Sequence, residues 1–160
     1  MTDEILIRPF EMRDRAAVQD FFDSMGQESA AFFNVNHGNE NRCMSFFDGS
    51  ARDTLFFTAD YNGKCVGLMF IWDLKKSVPW FGIAVRDDMQ RRGIGSGLIE
   101  YIKNFLFAKG SGGLLLRTAV TNTKAQGLYE KCGFEKIGVH PSGELLYIFR
   151  SEVKAVESEC

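Results

Sequence analysis

A single mixed α/β sheet, mostly antiparallel, of about seven strands with helices on both faces, is the fold that this 160-residue sequence predicts. Three observations carry that prediction. Two β-rich segments flank the dipeptide Asn62-Gly63, a third apolar segment follows them closely, and segments of helical periodicity then alternate with apolar runs.

The elements follow in order. Ile5 to Pro9 reads as a short strand, ended by a proline that cannot donate to a ladder. A helix begins near Arg13, where Val18, Phe21, Phe22 and Met25 form one apolar stripe that Gly26 stops. The stretch from Gln27 to Ser50 has weak periodicity and several Asn and Gly, which predicts short helices and loops. Thr54 to Tyr61 and Cys65 to Trp72 are rich in β-branched and aromatic residues and form an antiparallel hairpin through Asn62-Gly63. After the polar connection Asp73 to Ser77, Val78 to Val85 completes a three-stranded meander. Ile94, Leu98, Ile102, Phe105 and Leu106 recur at helical spacing up to Gly110. Leu114 to Val120 is a nearly unbroken apolar run, which predicts a strand buried on both faces. Thr121 to Cys132 is a helix closed by Gly133, and Phe134 to Val139 and Leu145 to Phe149 are the last strands, around His140-Pro-Ser-Gly143. Residues 1–150 read as one domain and 151–160 as a charged tail.

Composition narrows the function classes. The net charge of -2, from 19 basic and 21 acidic residues, gives no bulk attraction for nucleic acid or anionic lipid, so any anion site is local. No apolar run approaches the roughly 20 residues that span a bilayer, and Met1-Thr-Asp-Glu lacks the features of a signal peptide. The expectation is a cytoplasmic protein without membrane partners. Cys43, Cys65, Cys132 and Cys160 are scattered, which argues against a zinc site or a disulfide framework, so no metal is expected. Fifteen phenylalanines are expected to pack the core and line an apolar cleft.

The chemistry is concentrated between Val85 and Gly97. Gly93, Gly95 and Gly97 let the backbone approach a bulky anion, and the start of the following helix favours phosphate oxygens through its exposed N–H groups and dipole. Arg91 and Arg92 can add charge-assisted hydrogen bonds. A Walker loop would end in Gly-Lys-Ser/Thr, and a dinucleotide fold would carry G-x-G-x-x-G after its first strand; neither is present.

The run Gln90-x-x-Gly93-x-Gly95 resembles the Q/R-x-x-G-x-G/A signature of the GNAT superfamily of acyl-CoA N-acyltransferases. Asn122-x-x-Ala125-x-x-x-Tyr129-Glu-Lys-Cys-Gly133-Phe134 is similar to the family's second motif, at the expected place after a buried strand. The resemblance covers nearly the whole chain. It implies that Ile83, Ala84 and Val85 present backbone groups to the thioester and pantetheine of acetyl-CoA, the co-substrate. It implies that Gln90, Arg91, Arg92, Gly93, Ile94, Gly95, Ser96 and Gly97 hold the pyrophosphate. Asn122 would hydrogen-bond the pantetheine arm, Ala125 would leave room for it, and the Tyr129 hydroxyl would face the sulfur.

The implied reaction is attack of a primary amine on the thioester in a ternary complex. Charge building on the carbonyl oxygen calls for a preorganised N–H, here that of Ile83, and the departing thiolate calls for an acid, here Tyr129. Asn122, Ala125 and Tyr129 share one helical face. Outside the family frame, Tyr129 reads as a core aromatic and Asn122 as a helix N-cap. Lys124 and Lys131 read either as contacts to the 3′-phosphate of CoA or as a solvated face, and Cys132 as a small buried hydrophobe.

An alkyl ammonium must lose a proton before it attacks, yet Val78 to Val85 lacks the acidic residue that some family members carry. Asp73, Glu28, Glu40 and His37 are substitutes, and none is assigned. The acceptor is a small amine, an amino acid, an antibiotic, or a protein N-terminus or lysine; the alternative is a non-catalytic acyl-CoA sensor. Phe32, Phe33, Phe46 and Phe47 point to an apolar wall for the acceptor. Dimers are common in the family, so a homodimer is the expected assembly.

Overall fold

A computed structural model describes residues 4–33 and 38–151 of the chain. Its strands are β1 (Leu6–Pro9), β2 (Thr54–Tyr61), β3 (Lys64–Trp72), β4 (Trp80–Val85), β5 (Gly113–Thr118), β6 (Glu135–Val139) and β7 (Leu145–Arg150). Its helices are α1 (Arg15–Asp23), α2 (Gln27–Phe33), α3 (Asn39–Met44), α4 (Ile94–Ala108) and α5 (Thr123–Lys131). The seven strands form one sheet in the order β1-β2-β3-β4-β5-β7-β6. Every neighbouring pair is antiparallel except β4 with β5.

The meander closes as its turn chemistry dictates. Asn62 at φ 53 and Gly63 at φ 90 both adopt the left-handed conformation that a type I′ hairpin requires. Side chains then alternate across the sheet. Met69 and Ile71 face the core shared with α4 and α5, whereas Leu68 and Phe70 face the core shared with α1, α2 and α3.

Helix α4 buries Ile94, Leu98, Ile99, Ile102 and Leu106, each such side chain contributing about 2 kcal/mol on removal from water. It settles directly on β3 because Gly67 has no side chain: a Cβ there would lie 3.1 Å from Ile94 Cγ2 and 3.3 Å from Leu98 Cδ1. On the other face, Phe10 stacks on Phe47 and Phe56 with centroids 5.5 and 5.3 Å away.

Two polar ties position the helices. Arg8 on β1 forks onto both carboxylate oxygens of Asp14 at 2.8 Å and reaches Asp60 on β2 at 2.9 Å. The guanidinium hydrogen bonds hold the Asp14 carboxyl below the usual carboxylate range. Asp87, just after β4, accepts from the Gly26 N–H at 2.8 Å and from the Ser29 hydroxyl, which fixes the start of α2 over the end of β4.

One strand differs from the sequence reading. β5 runs from Gly113 to Thr118, and it is buried on one face only: Leu114, Leu116 and Thr118 are covered, while Leu115 is half-buried and Arg117 exposed. The apolar run does not have both faces packed because β5 borders a cavity.

Candidate active site

Strands β4 and β5 share a single register pair, Trp80 with Leu115. Hydrogen bonds from the Leu115 N–H to the Pro79 carbonyl (2.9 Å) and from the Gly112 N–H to the Ser77 carbonyl (2.7 Å) seal the same end. Toward their carboxyl ends the strands part, and a cavity of about 1060 Å³ opens between Ile83–Val85 on one side and Arg117–Ala119 on the other. Ligand sites in open α/β sheets form at the carboxyl ends of parallel strands.

The pairing of β4 with β3 determines what β4 offers to this cavity. The Arg86 N–H donates to the Val66 carbonyl at 2.8 Å, and Ala84 and Gly82 follow in register with Leu68 and Phe70. Antiparallel bonding alternates, so Ile83 and Val85 turn their N–H and C=O groups the other way, toward the gap. The Val85 carbonyl receives only a long contact, 3.4 Å, from the Gln90 amide.

The start of α4 forms a second wall. Arg91 at φ 67 and Gly93 at φ 79 bring the chain round sharply, and Gly93 is the N-cap with no side-chain hydrogen bond. The first intrahelical bond is from the Gly97 N–H to the Gly93 carbonyl at 2.9 Å. The N–H groups of Ile94, Gly95 and Ser96 therefore have no intrahelical acceptor, and all three residues line the cavity. Gln90, Arg91 and Gly93 line it as well, but Arg92 and Gly97 do not. Gly97 instead faces β1, where a Cβ would lie 3.5 Å from Ile7 Cδ1.

Helix α5 supplies the third wall. Asn122 caps it, its Oδ1 accepting from the Ala125 N–H at 3.3 Å, and its amide NH2 has no partner among the described residues. Asn122, Ala125 and Tyr129 all line the cavity, as do Lys124 and Lys131 at its rim. Tyr129 is 7% exposed and packs against Phe134 and Tyr147 at 5.8 and 6.0 Å. Its hydroxyl makes no hydrogen bond among the described residues, and burial pushes its pKa above the usual phenol value. It therefore stays protonated. Cys132 is buried and free, as expected of a small hydrophobe.

Beyond the gap, on the α2 and α3 face, the cavity continues among Phe32, Phe33, Arg42, Phe70 and Trp72. Phe46 and Phe47 are absent from this wall: both pack on Phe10 in the core. Of the base candidates, Glu28 lines the cavity. Glu40 accepts from Gln19 at 3.0 Å, and Asp73 pairs with Lys76 at 3.6 Å, both outside the lining. His37 lies outside the described residues.

The sequence reading did not include Arg42, Trp72, Arg117 or Glu144, all of which line the cavity. Arg42 sat in the stretch of weak periodicity. Arg117 was the available signal, a lone charge in an apolar strand.

Comparison with known proteins identifies the family and the fold. Residues 7–134 match the family model described as Acetyltransferase (GNAT) family. A "[Ribosomal protein bS18]-alanine N-acetyltransferase" of Escherichia coli (strain K12) is 30% identical over 92 residues, a stretch that spans 58% of this chain and 62% of that relative. The fold resembles the GNAT domain of S. lividans PAT, with a TM-score of 0.79 and 15% identity over 91% of this chain and 90% of that one. It also resembles the PaiA N-acetyltransferase of Thermoplasma acidophilum, solved with coenzyme A, with a TM-score of 0.74 and 14% identity over 92% and 99% of the two chains.

Proposed function

Because this chain belongs to the acetyltransferase (GNAT) family, we propose that it is an N-acetyltransferase that moves the acetyl group of acetyl-CoA onto a primary amine by direct attack in a ternary complex. The observation that carries this reading is the gap between β4 and β5, which connects an uncapped helix start on one face of the sheet with an aromatic chamber on the other. Residues 1–150 form the catalytic domain on this reading. The tail, 151–160, has only Ser151 among the described residues.

The residues present fit the co-substrate. The unbonded N–H groups of Ile94, Gly95 and Ser96 suit the pyrophosphate, with Arg91 and Gln90 beside them. Arg92 and Gly97 contribute less directly, through exposed charge and through close seating of α4 on β1. Val85 and the free amide of Asn122 would bind the pantetheine arm, for which Ala125 leaves space. Lys124 and Lys131 stand where a 3′-phosphate would be neutralised. When bound, acetyl-CoA supplies an activated thioester.

The rest is the work of this chain. The Ile83 N–H points into the gap, where it would stabilise negative charge growing on the carbonyl oxygen as the amine attacks. Tyr129, kept protonated by burial, donates a hydrogen bond and then a proton to the departing sulfur. Glu28 is the acidic candidate on the cavity wall for receiving the proton of the amine, directly or through water. Three buried free thiols, Cys43, Cys65 and Cys132, accord with a reducing cytoplasmic setting. A homodimer is the expected assembly, to be checked by sedimentation.

The test is release of free CoA thiol from acetyl-CoA over a panel of amines, amino acids, aminoglycosides and N-terminal peptides, with an amine-free control. Amine-dependent release supports transfer. Tight binding of acetyl-CoA with no release for any amine would replace the enzyme with an acyl-CoA sensor.

A further inference from the structure

The chamber on the α2 and α3 face has a charge pattern that the acetyltransferase reading does not use. Arg42 projects from α3 with its guanidinium carbon 4.4 Å from the Trp72 ring centroid and 5.7 Å from that of Phe70. It makes no ion pair or side-chain hydrogen bond among the described residues, although it lines the cavity and is half-buried. Burial lowers its pKa from the usual guanidinium value and outweighs the opposing influence of Cys43 and of the Asp73 carboxylate, while the charge of Arg117 lowers it slightly further. Arg117 projects from β5 with its guanidinium carbon 5.9 Å from Trp80, and its Nε lies 3.7 Å from Glu144. Trp72 and Trp80 stack between the two cations at 6.1 Å and 12°. One arginine thus has an anion, and the other faces the cavity with its donors unspent.

An unpaired guanidinium fixed over an indole is a preorganised receptor for a carboxylate, because its planar donors match the two oxygens and the ring restricts its motion. We propose that this chamber is an acceptor subsite in which Arg42 holds a carboxylate carried by the same molecule as the amine, so that the acceptor is an amino carboxylate. The proposal rests on the acetyltransferase reading of the gap and adds the chemical class of its acceptor.

Register sets the reach. Phe70 pairs with Gly82, the residue before Ile83, and Trp72 pairs with Trp80, three residues before it. Arg42 spans those two rings, so carboxylate and amine are separated by roughly 3–10 Å at strand spacing. Phe32, Phe33 and Phe70 give the intervening methylenes apolar walls. Glu28 on α2 and Glu144 line the same cavity and favour the ammonium end. A polyamine would instead bring a second positive charge against Arg42.

Trp72 lines this chamber and Trp80, the other tryptophan of the sequence, stacks on it, so selectively excited tryptophan fluorescence reports on binding there. The experiment titrates linear amino carboxylates of increasing length, starting at glycine, against matched amino carboxamides, with CoA present so that nothing turns over. The carboxylate of best length is expected to bind about tenfold or more tightly than its carboxamide. Arg42→Gln should reduce that ratio to near unity with carboxamide binding unchanged, and Arg42→Lys should restore part of it. Equal affinity for acids and amides, no binding of any acid, or a ratio that survives Arg42→Gln would overturn the proposal. These outcomes are read without catalysis. Absence of acetyl transfer beside an intact carboxylate preference would strike the acetyltransferase reading and leave the anion subsite standing.

Discussion

Trp80 and Leu115 face each other as the one register pair between β4 and β5. Beyond them the hydrogen-bonding groups of Ile83 and Val85 have no strand to meet and open onto the cavity, where a ligand or water can take up their bonds. The gap is thus the feature from which the proposed chemistry of the site follows.

On the proposed mechanism, Tyr129 is the wall residue that donates the proton to the departing sulfur. Tyr129→Phe removes the hydroxyl and keeps the ring against Phe134 and Tyr147. Turnover should fall about a hundredfold, as for loss of a positioned proton donor, while KM for acetyl-CoA changes little. Unaltered turnover across pH in steady-state assays would remove Tyr129 from the mechanism.

Gly95 tests the helix start. A Cβ there would lie 2.9 Å from Leu128 Cδ2, the mobile end of a flexible side chain, and 3.8 Å from Val85 Cγ2. Gly95→Ala should therefore be tolerated once Leu128 turns, whereas Gly95→Val fills space against both neighbours. Calorimetric titration should show acetyl-CoA affinity near wild type for the alanine variant and weakened tenfold or more, about 1.4 kcal/mol, for the valine variant.

Gly82 tests the opposite chamber. A Cβ at this position would lie 2.6 Å from Phe70 Cζ and 2.8 Å from Cε2. Gly82→Ala must displace the Phe70 ring, with an overpacking cost of about 1–3 kcal/mol in urea unfolding. The acceptor KM should rise while acetyl-CoA binding holds, a split that general misfolding would not produce.

Stability should depend on alkaline pH. Burial raises the pKa of the Cys65 thiol to about 11 and pushes that of Cys43 and the Tyr129 phenol higher. Each group has a higher pKa folded than unfolded, so its neutral form favours the folded state at low pH and that advantage is lost as pH rises. Urea midpoints should stay level up to about pH 8.5, the unperturbed thiol value, and fall between there and about pH 11, the folded Cys65 value. Cys65→Ala should flatten part of that decline, and a midpoint level through this window would contradict the assignment.

Much of this was legible in the sequence because local signals agreed with the fold. Asn62-Gly63 imposes its turn through positive φ at both positions, and the apolar stripe of α4 finds β3 through the missing side chain of Gly67. The lining residues Gln90, Arg91, Gly93 to Ser96, Asn122, Ala125 and Tyr129 come from two continuous segments, so local spacing could group the members of each and the family resemblance joined the two. Arg42, Trp72 and Arg117 could not be grouped that way, since α3, β3 and β5 meet only through tertiary packing. Phe46 and Phe47 were misread for the same reason: aromatic residues mark an apolar surface, but whether it meets a cavity or Phe10 depends on how the segment after α3 seats. The β5 run was read as doubly buried because composition cannot show that a sheet opens beside it.

The most direct test of the central claim follows an isotope-labelled acetyl group from acetyl-CoA onto the amine by mass spectrometry, with both substrates varied. Direct attack in the gap predicts label on the amine nitrogen and initial-rate lines that intersect, because both substrates must be bound before either product leaves. Parallel lines with label held on the protein, or no label on any amine while acetyl-CoA is bound, would contradict it.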